Sequence, residues 1–382
     1  LIERGRLAAE LARFKPAAWD DLPEAAALAE AAGADDLRLE ALTAWLHALG
    51  LAKDLPGELI EVVERQALAL VERRDVRGQR VHGAVLVAAG EAYLERDRTE
   101  LAGERLNHAS GVLEALGDVA ASELAEAYND LAILHSSQDR YPEAHAAYQR
   151  ARALIERTQG PHHPNLGFLA NNEGRAFDKQ GDKAAARALF TQALELWGPF
   201  YGPDHPSTNM ALTHLARVEV ELKEDASARV HAERSLDSRT RISGADDPSL
   251  VHPLLLLVRL DLRAGDHARA RERVDRARAI QERAVGADSP KMLEVLNLTV
   301  QVALAEERPR DALEPAERAL AVAKTDLQKA KARLSLARIR GSLGDVAAAR
   351  VDAEAAAIAP EIRAEAEAWL AEHPAPATRR RR

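Results

Sequence analysis

Gly160-Pro161-His162-His163-Pro164 is followed by Gly202-Pro203-Asp204-His205-Pro206, then by Gly244-Ala245-Asp246-Asp247-Pro248 and Gly286-Ala287-Asp288-Ser289-Pro290. The glycines stand 42 residues apart each time. The same step runs outward from these turns. Ala102, Ala144, Ala186, Ala228, Ala270 and Ala312 lie on one register, and Ala67, Ala109, Ala151, Ala193, Ser235, Ala277 and Ala319 on a second. A third reads Ala48, Gly90, Ala132, Gly174, Ala216, Val258 and Val300. A fixed period of this length, held in three registers, implies a stacked array in which each unit buries its apolar face against the next.

Within each unit, apolar residues return at three- and four-residue spacing, as in Tyr128, Leu131, Ala132 and His135, then Ala144, Tyr148 and Ala151. That spacing predicts two helices per unit. Polar breaks such as Gln138-Asp139-Arg140, Gly181-Asp182-Lys183 and Gly265-Asp266-His267 separate them. Composition agrees, since Ala, Leu, Glu and Arg dominate and aromatics are only 4 %. Such side chains lose little freedom in a helix. The small residues are expected where two helix axes approach to about 8–10 Å.

The turns have a structural reading of their own. Gly160, Gly202, Gly244 and Gly286 suit the left-handed position past a helix end. Pro164, Pro206, Pro248 and Pro290 suit the first position of the next helix. Asp247 and Ser289 are then N-caps, and His163 and His205 fill the same slot. Two histidines on one phase also invite a metal reading. One repeat apart, however, they cannot converge at about 2 Å on one ion, so the cap reading is preferred.

The chain has 382 residues, a net charge of −9 and no cysteine. Disulfides, thiolate metal sites and cysteine nucleophiles are therefore excluded. The acidic balance argues against a broad nucleic-acid footprint. No apolar run reaches membrane-spanning length, and Leu1-Ile2-Glu3-Arg4 does not read as a signal peptide. The first residue is not Met, so a fragment of a longer, cytoplasmic protein is expected. Kinase elements, a Walker A loop, His-Glu-x-x-His and Gly-x-Ser-x-Gly are all absent from the sequence. The chain itself is accordingly expected to be no enzyme and to hold no cofactor or metal.

The pattern resembles the tetratricopeptide repeat. Its small-residue signature falls on Gly90, Tyr93, Ala102 and Ala109, and on Gly174, Phe177, Ala186, Phe190 and Ala193. The usual period of that family is about 34 residues. The longer form, with Gly-Pro-Asp-His-Pro between units, resembles the kinesin-light-chain subclass. The match runs from about residue 37 to 325, and Val258, Val300, Ala232 and Val274 depart from the pattern. The resemblance implies an all-α fold: an α-solenoid of antiparallel helix pairs stacked into a right-handed superhelix. It divides the chain into a degenerate N-terminal unit or cap (1–33), tandem repeats (34–325), a short final repeat with a capping helix (326–373) and a basic tail (374–382). The tail ends in Arg379-Arg380-Arg381-Arg382, which reads either as a phosphate contact or as a solvated end. The assembly also resembles the C-terminal region of certain bacterial serine/threonine protein kinases.

In this repeat class the first helices line the inner face. Counted from the small residue of each first helix, offsets −6, −3, +1 and +4 face the groove. At −3 stand Asn129, Asn171, Thr213 and Asn297, interrupted by Leu255. At +1 stand Arg175, Arg217 and Arg259, followed by Gln301, and at −6 Phe168 and Met210. An asparagine amide can hold a ligand backbone, and guanidinium groups fork onto carboxylates. Phe168 and Met210 would supply apolar anchors. The expected partner is a protein or peptide, acidic and extended or helical. The competing reading is a solvated face, with Arg217 pairing Glu221 and Arg175 pairing Asp178 along their own helices. The function expected is a protein-interaction scaffold or regulatory arm attached to a signalling enzyme such as a kinase. The alternative is a peptide-sensing regulator that switches an attached DNA-binding or effector domain.

Overall fold

The computed structural model describes residues 20–374, and all regular structure among them is helical. Residues 1–19 of the expected N-terminal unit and the Arg379–Arg382 run lie outside the described residues. The chain divides after Phe200 into two compact units.

The first unit holds α1 (Leu22–Ala31), α2 (Asp35–Leu51), α3 (Glu58–Arg73), α4 (Arg80–Glu95), α5 (Thr99–Glu114), α6 (Ala121–Ser137), α7 (Tyr141–Gln159), α8 (Pro164–Gln180) and α9 (Lys183–Tyr201). From α2 onward they pair as helical hairpins, and the first helices α2, α4, α6 and α8 pack in series. The second unit repeats the plan with α10 (Pro206–Leu222), α11 (Asp225–Ser243), α12 (Val251–Ala264), α13 (His267–Val285), α14 (Leu293–Ala305), α15 (Pro309–Val322), α16 (Asp326–Ser342), α17 (Val346–Ala356) and α18 (Arg363–Glu372). The last helix packs on α17. Hairpins linked through short turns and stacked on their neighbours make an α-solenoid.

The three small-residue registers are the seams of the hairpins. Every alanine from Ala102 to Ala312 on the first register is fully buried, and so are Ala67, Ala109, Ala151 and Ala193 on the second. In α4/α5 and α8/α9 two glycines of the first helix make room for large partners. A Cβ on Gly90 would meet the Leu106 side chain at 2.6 Å, and one on Gly174 the Phe190 ring at 2.8 Å. Gly167 faces Trp197 in the same way, at 2.5 Å. Trp197 is fully buried, and its indole N–H donates to the Pro164 carbonyl at 3.0 Å.

The turns between units are built on side-chain caps. His163 Nδ1 accepts from the Asn165 N–H at 3.2 Å, and His205 Nδ1 from Ser207 at 3.1 Å. Asp247 and Ser289 do the same for Ser249 and Lys291, at 2.8 and 3.3 Å. The histidines thus spend a ring nitrogen on the cap. The turn glycines differ from expectation. Gly160 has φ 93° and ψ 165°, and Gly244 φ 90° and ψ 169°. This is the extended, glycine-only region with positive φ, not the left-handed helical one. The chain must leave the helix outright to reach the next cap.

Left-handed geometry instead occupies the turn inside each hairpin. Asp97, Asp139, Gly181, Lys223, Gly265 and Glu307 all have positive φ, and they too stand 42 apart. Successive first helices are further linked through their C-termini. Lys179 on α8 donates to the Ser136 carbonyl of α6 at 2.9 Å, and Arg263 on α12 to the Val220 carbonyl of α10 at 2.8 Å. A cation suits the negative end of a helix dipole.

One hairpin departs from the apolar plan. Between α10 and α11, Arg239 bonds to Ser235 Oγ at 3.1 Å, Thr213 Oγ1 at 3.2 Å and the Asn209 carbonyl at 3.4 Å. Burial pushes its guanidinium below the usual arginine range, partly offset by the charge of Asp247.

Candidate protein-binding groove

A groove of about 770 Å³ crosses the first helices of the first unit. His47 of α2, Val87 and Glu91 of α4, and Ser122, Ala125, Glu126, Asn129 and Asp130 of α6 line one side. Asn165, Phe168 and Leu169 of α8, with Ile155 and Gln159 of α7, complete it. The floor is apolar: Val87, Ala125, Ile155 and Leu169 are buried, while Phe168 remains 38 % exposed against Trp197. A helix places every third or fourth residue on one face. Val87 with Glu91, Glu126 with Asn129 and Asp130, and Asn165 with Phe168 and Leu169 therefore converge from adjacent repeats.

The polar side of the groove is acidic. Glu91 pairs with His47. Asp130 is buried at 8 % exposure, and Asn129 Nδ2 donates to its Oδ1 at 3.0 Å. Burial first, then the Glu91 charge, holds the Asp130 carboxyl well above the usual range. Glu126 and Glu95 add to this, and the Asn129 amide opposes it. Glu126 meets water in the groove but is crowded by protein. Desolvation raises its carboxyl, with Glu123 and Glu91 adding and His47 and Arg80 opposing. Both are cases of burial and like charge favouring the neutral acid.

Of the residues singled out in the sequence, Asn129 and Phe168 line this groove. The Asn129 amide is already engaged at both ends, because Asn172 donates to its Oδ1 at 3.1 Å. Asn171 is not on an open face: it is buried at 2 % exposure. Thr213 is turned into its own hairpin. Its hydroxyl donates to the Asn209 carbonyl at 2.8 Å and meets Ser235 Oγ at 3.0 Å. A fixed offset assumes the same rotation in every helix, and hydrogen bonding inside α10/α11 overrides it. Met210 and Asn297 are half-buried, while Arg175, Arg259 and Gln301 are exposed. Arg217 pairs with Glu221 at 3.2 Å and Arg259 with Glu294 at 2.9 Å. Asp178, expected beside Arg175, is held by Lys183 at 2.6 Å.

Sequence reasoning missed Glu91, Glu126 and Asp130. A signal was present. Glu91 stands at +1 from Gly90 and Glu126 at −6 from Ala132, on the offsets already counted. Following the +1 row backward gives Arg175, Ile133 and Glu91, so its charge reverses along the array.

Stacked two-helix units with a fixed small-residue seam and a groove across their first helices define a helical-repeat array. The tetratricopeptide repeat family matches residues 123–198, 185–241 and 250–325, and the chain belongs to that family. A comparison with curated proteins finds no sequence relative. Among solved structures, the chain is similar to a signal-transduction ATPase with a tetratricopeptide repeat sensor from Pyrococcus horikoshii. The TM-score is 0.59 at 14 % identity, over 88 % of this chain and 53 % of that one. A tetratricopeptide repeat protein from Parabacteroides merdae is similar at TM-score 0.52 and 12 % identity, over 76 % and 98 %. A kinesin light chain with TPR-like repeats from Podospora anserina is also similar, at TM-score 0.45 and 19 % identity over 53 % and 97 %. At these identities the likeness is one of fold. No helix among the described residues is long and apolar enough to cross a membrane.

Proposed function

We propose that this chain is a protein-binding arm that holds a segment of another protein in the groove across α4, α6 and α8. The observation that carries the reading is the groove itself, about 770 Å³ with a buried apolar floor and a polar wall drawn from successive repeats. That volume falls in the range of sites that enclose a ligand, about 300–1,000 Å³. An apolar floor with a polar rim is what a segment with alternating side-chain character requires. Membership of a helical-repeat family supports the same reading, which assigns the chain no catalytic step and no cofactor. Arg175, Arg217, Arg259, Met210, Asn297 and Gln301 become outlying contacts rather than the centre. The resemblance to kinase-linked repeats supports a cytoplasmic arm serving a signalling enzyme. The similar ATPase is described as carrying a repeat sensor. In a sensing version of this proposal, occupancy also changes an attached domain.

The test is a peptide display library panned on the whole chain. Selected peptides should lose binding to Ser122→Trp, which fills the groove, and to Phe168→Ala, with circular dichroism unchanged. Peptides that bind both variants as well as the parent chain would place recognition elsewhere.

A further inference from the structure

We propose that the groove of the first unit is specific for a segment presenting a lysine or arginine beside an apolar side chain. The inference rests on the groove reading above and adds the chemistry of the occupant. Glu91 from α4 and Glu126 and Asp130 from α6 share one wall. Two basic side chains stand nearby, and both have partners: His47 pairs with Glu91, and Arg80 with Glu123 at 2.6 Å. Asp130 is the most deeply buried of the three, and its hydrogen bond comes from the neutral Asn129 amide.

Carboxylates crowded together and partly removed from water repel one another and lose hydration. A guanidinium or ammonium entering between them reverses the repulsion and forms charge-assisted hydrogen bonds. A carboxylate on the ligand would enter against the same field. In the same groove, Val87, Ile155, Leu169 and the exposed part of Phe168 offer apolar contact to the neighbouring side chain. Charge complementarity therefore reverses, for this unit, the acidic ligand expected from the arginine row. That row begins only at Arg175, and Glu91 holds its place two repeats earlier.

The experiment is fluorescence anisotropy on the whole chain with two labelled peptides, one alternating Leu with Lys and one alternating Leu with Glu. The Leu/Lys peptide should bind tighter by about tenfold or more, the effect of one charge-assisted hydrogen bond. Glu91→Gln with Glu126→Gln should remove about tenfold of that affinity. Arg175→Ala with Arg217→Ala should leave it unchanged. Leu/Lys binding that ignores the Glu91/Glu126 pair of changes would be diffuse attraction to an acidic chain, and the proposal would fall. Preference for Leu/Glu, blocked by Ser122→Trp, would overturn the basic specificity and leave the groove reading standing. Binding of neither peptide, with no displayed peptide blocked by Ser122→Trp, would remove both. Leu/Lys binding that appears only after deletion of residues 375–382 would assign the groove to this chain's own arginines, again overturning a partner segment.

Discussion

Hairpins α8/α9 and α10/α11 share one backbone plan and fill it with opposite chemistry. Gly167, Phe190, Ala193 and Trp197 in the first correspond to Asn209, Ala232, Ser235 and Arg239 in the second. The first closes as an apolar jigsaw, with Phe190 and Trp197 fully buried over glycines. The second closes around a guanidinium held by neutral oxygens, and the buried Asn209 Oδ1 there has no hydrogen-bond partner. The period decides where each side chain points. It does not decide whether that position stabilises the array.

The largest effect should come from Trp197→Ala. Emptying a fully buried indole site costs about 3–5 kcal/mol, measured by denaturant unfolding. Arg239→Ala should cost far less, about 1 kcal/mol, because the charge it removes is itself poorly solvated and its hydrogen bonds go to neutral oxygens. Equal losses would break the comparison and make the polar hub as stabilising as the apolar one.

Transplanting the apolar set into the second hairpin sharpens the same point. Asn209→Gly, Ala216→Gly, Ala232→Phe and Arg239→Trp together should raise stability by about 2 kcal/mol, since burial over the two glycines replaces a polar network that lacks one acceptor partner. A destabilised quadruple variant would mean that the Thr213, Ser235 and Arg239 bonds act as a unit.

The next contrast is between the groove carboxylates and the ion pairs of the second unit. Asp130 has a raised folded-state pKa, so the proton favours the folded chain. That contribution is present at low pH and is lost as pH rises through and above the usual carboxylate range. Asp130→Asn should therefore stabilise by about 1 kcal/mol at neutral pH, and the gain should vanish below about pH 4. Glu221→Gln, which removes the partner of a more exposed arginine, should shift stability by less than about 0.5 kcal/mol at either pH. Thermal melts of both variants at the two pH values make the check. A pH-independent gain from Asp130→Asn would show that its carboxyl is not the strained group.

Much of this fold is legible in the sequence because its information is periodic. The alanine registers, the Gly–x–x–x–Pro turns and the small-to-large seam all repeat, and each repeat reads the others. The groove is less legible because its chemistry is aperiodic. Glu91, Glu126 and Asp130 come from different offsets in two helices. Only their convergence in space makes them one acidic wall. Asn171 and Thr213 fail for the complementary reason. A row counted by offset says nothing of the hydrogen bonds that turn Thr213 inward, or of the packing that covers Asn171.

The smallest effect tests the hairpin turn, where one backbone slot is filled by unlike residues. Asp139 and Lys223 hold positive φ of 60° and 62° where Gly181 and Gly265 hold 97° and 74°. A left-handed conformation costs an L-residue about 1–2 kcal/mol, less for Asp, whose short side chain can bond locally. Asp139 does so: Tyr141 donates to its carboxylate at 3.0 Å, and Lys179 pairs with it at 2.9 Å. Lys223 has a long flexible side chain and no such compensation from a short polar group. Lys223→Gly should relieve the strain, offset in part by the greater freedom glycine gives the unfolded chain, for a net gain of about 0.5 kcal/mol. Asp139→Gly should gain nothing or lose slightly, because it removes the carboxylate that holds Tyr141 and Lys179. A rise in Tm for Lys223→Gly and none for Asp139→Gly would show that the repeat tolerates a non-glycine there only where its side chain offsets the strain. The reverse order would place the cost of this slot in the unfolded state.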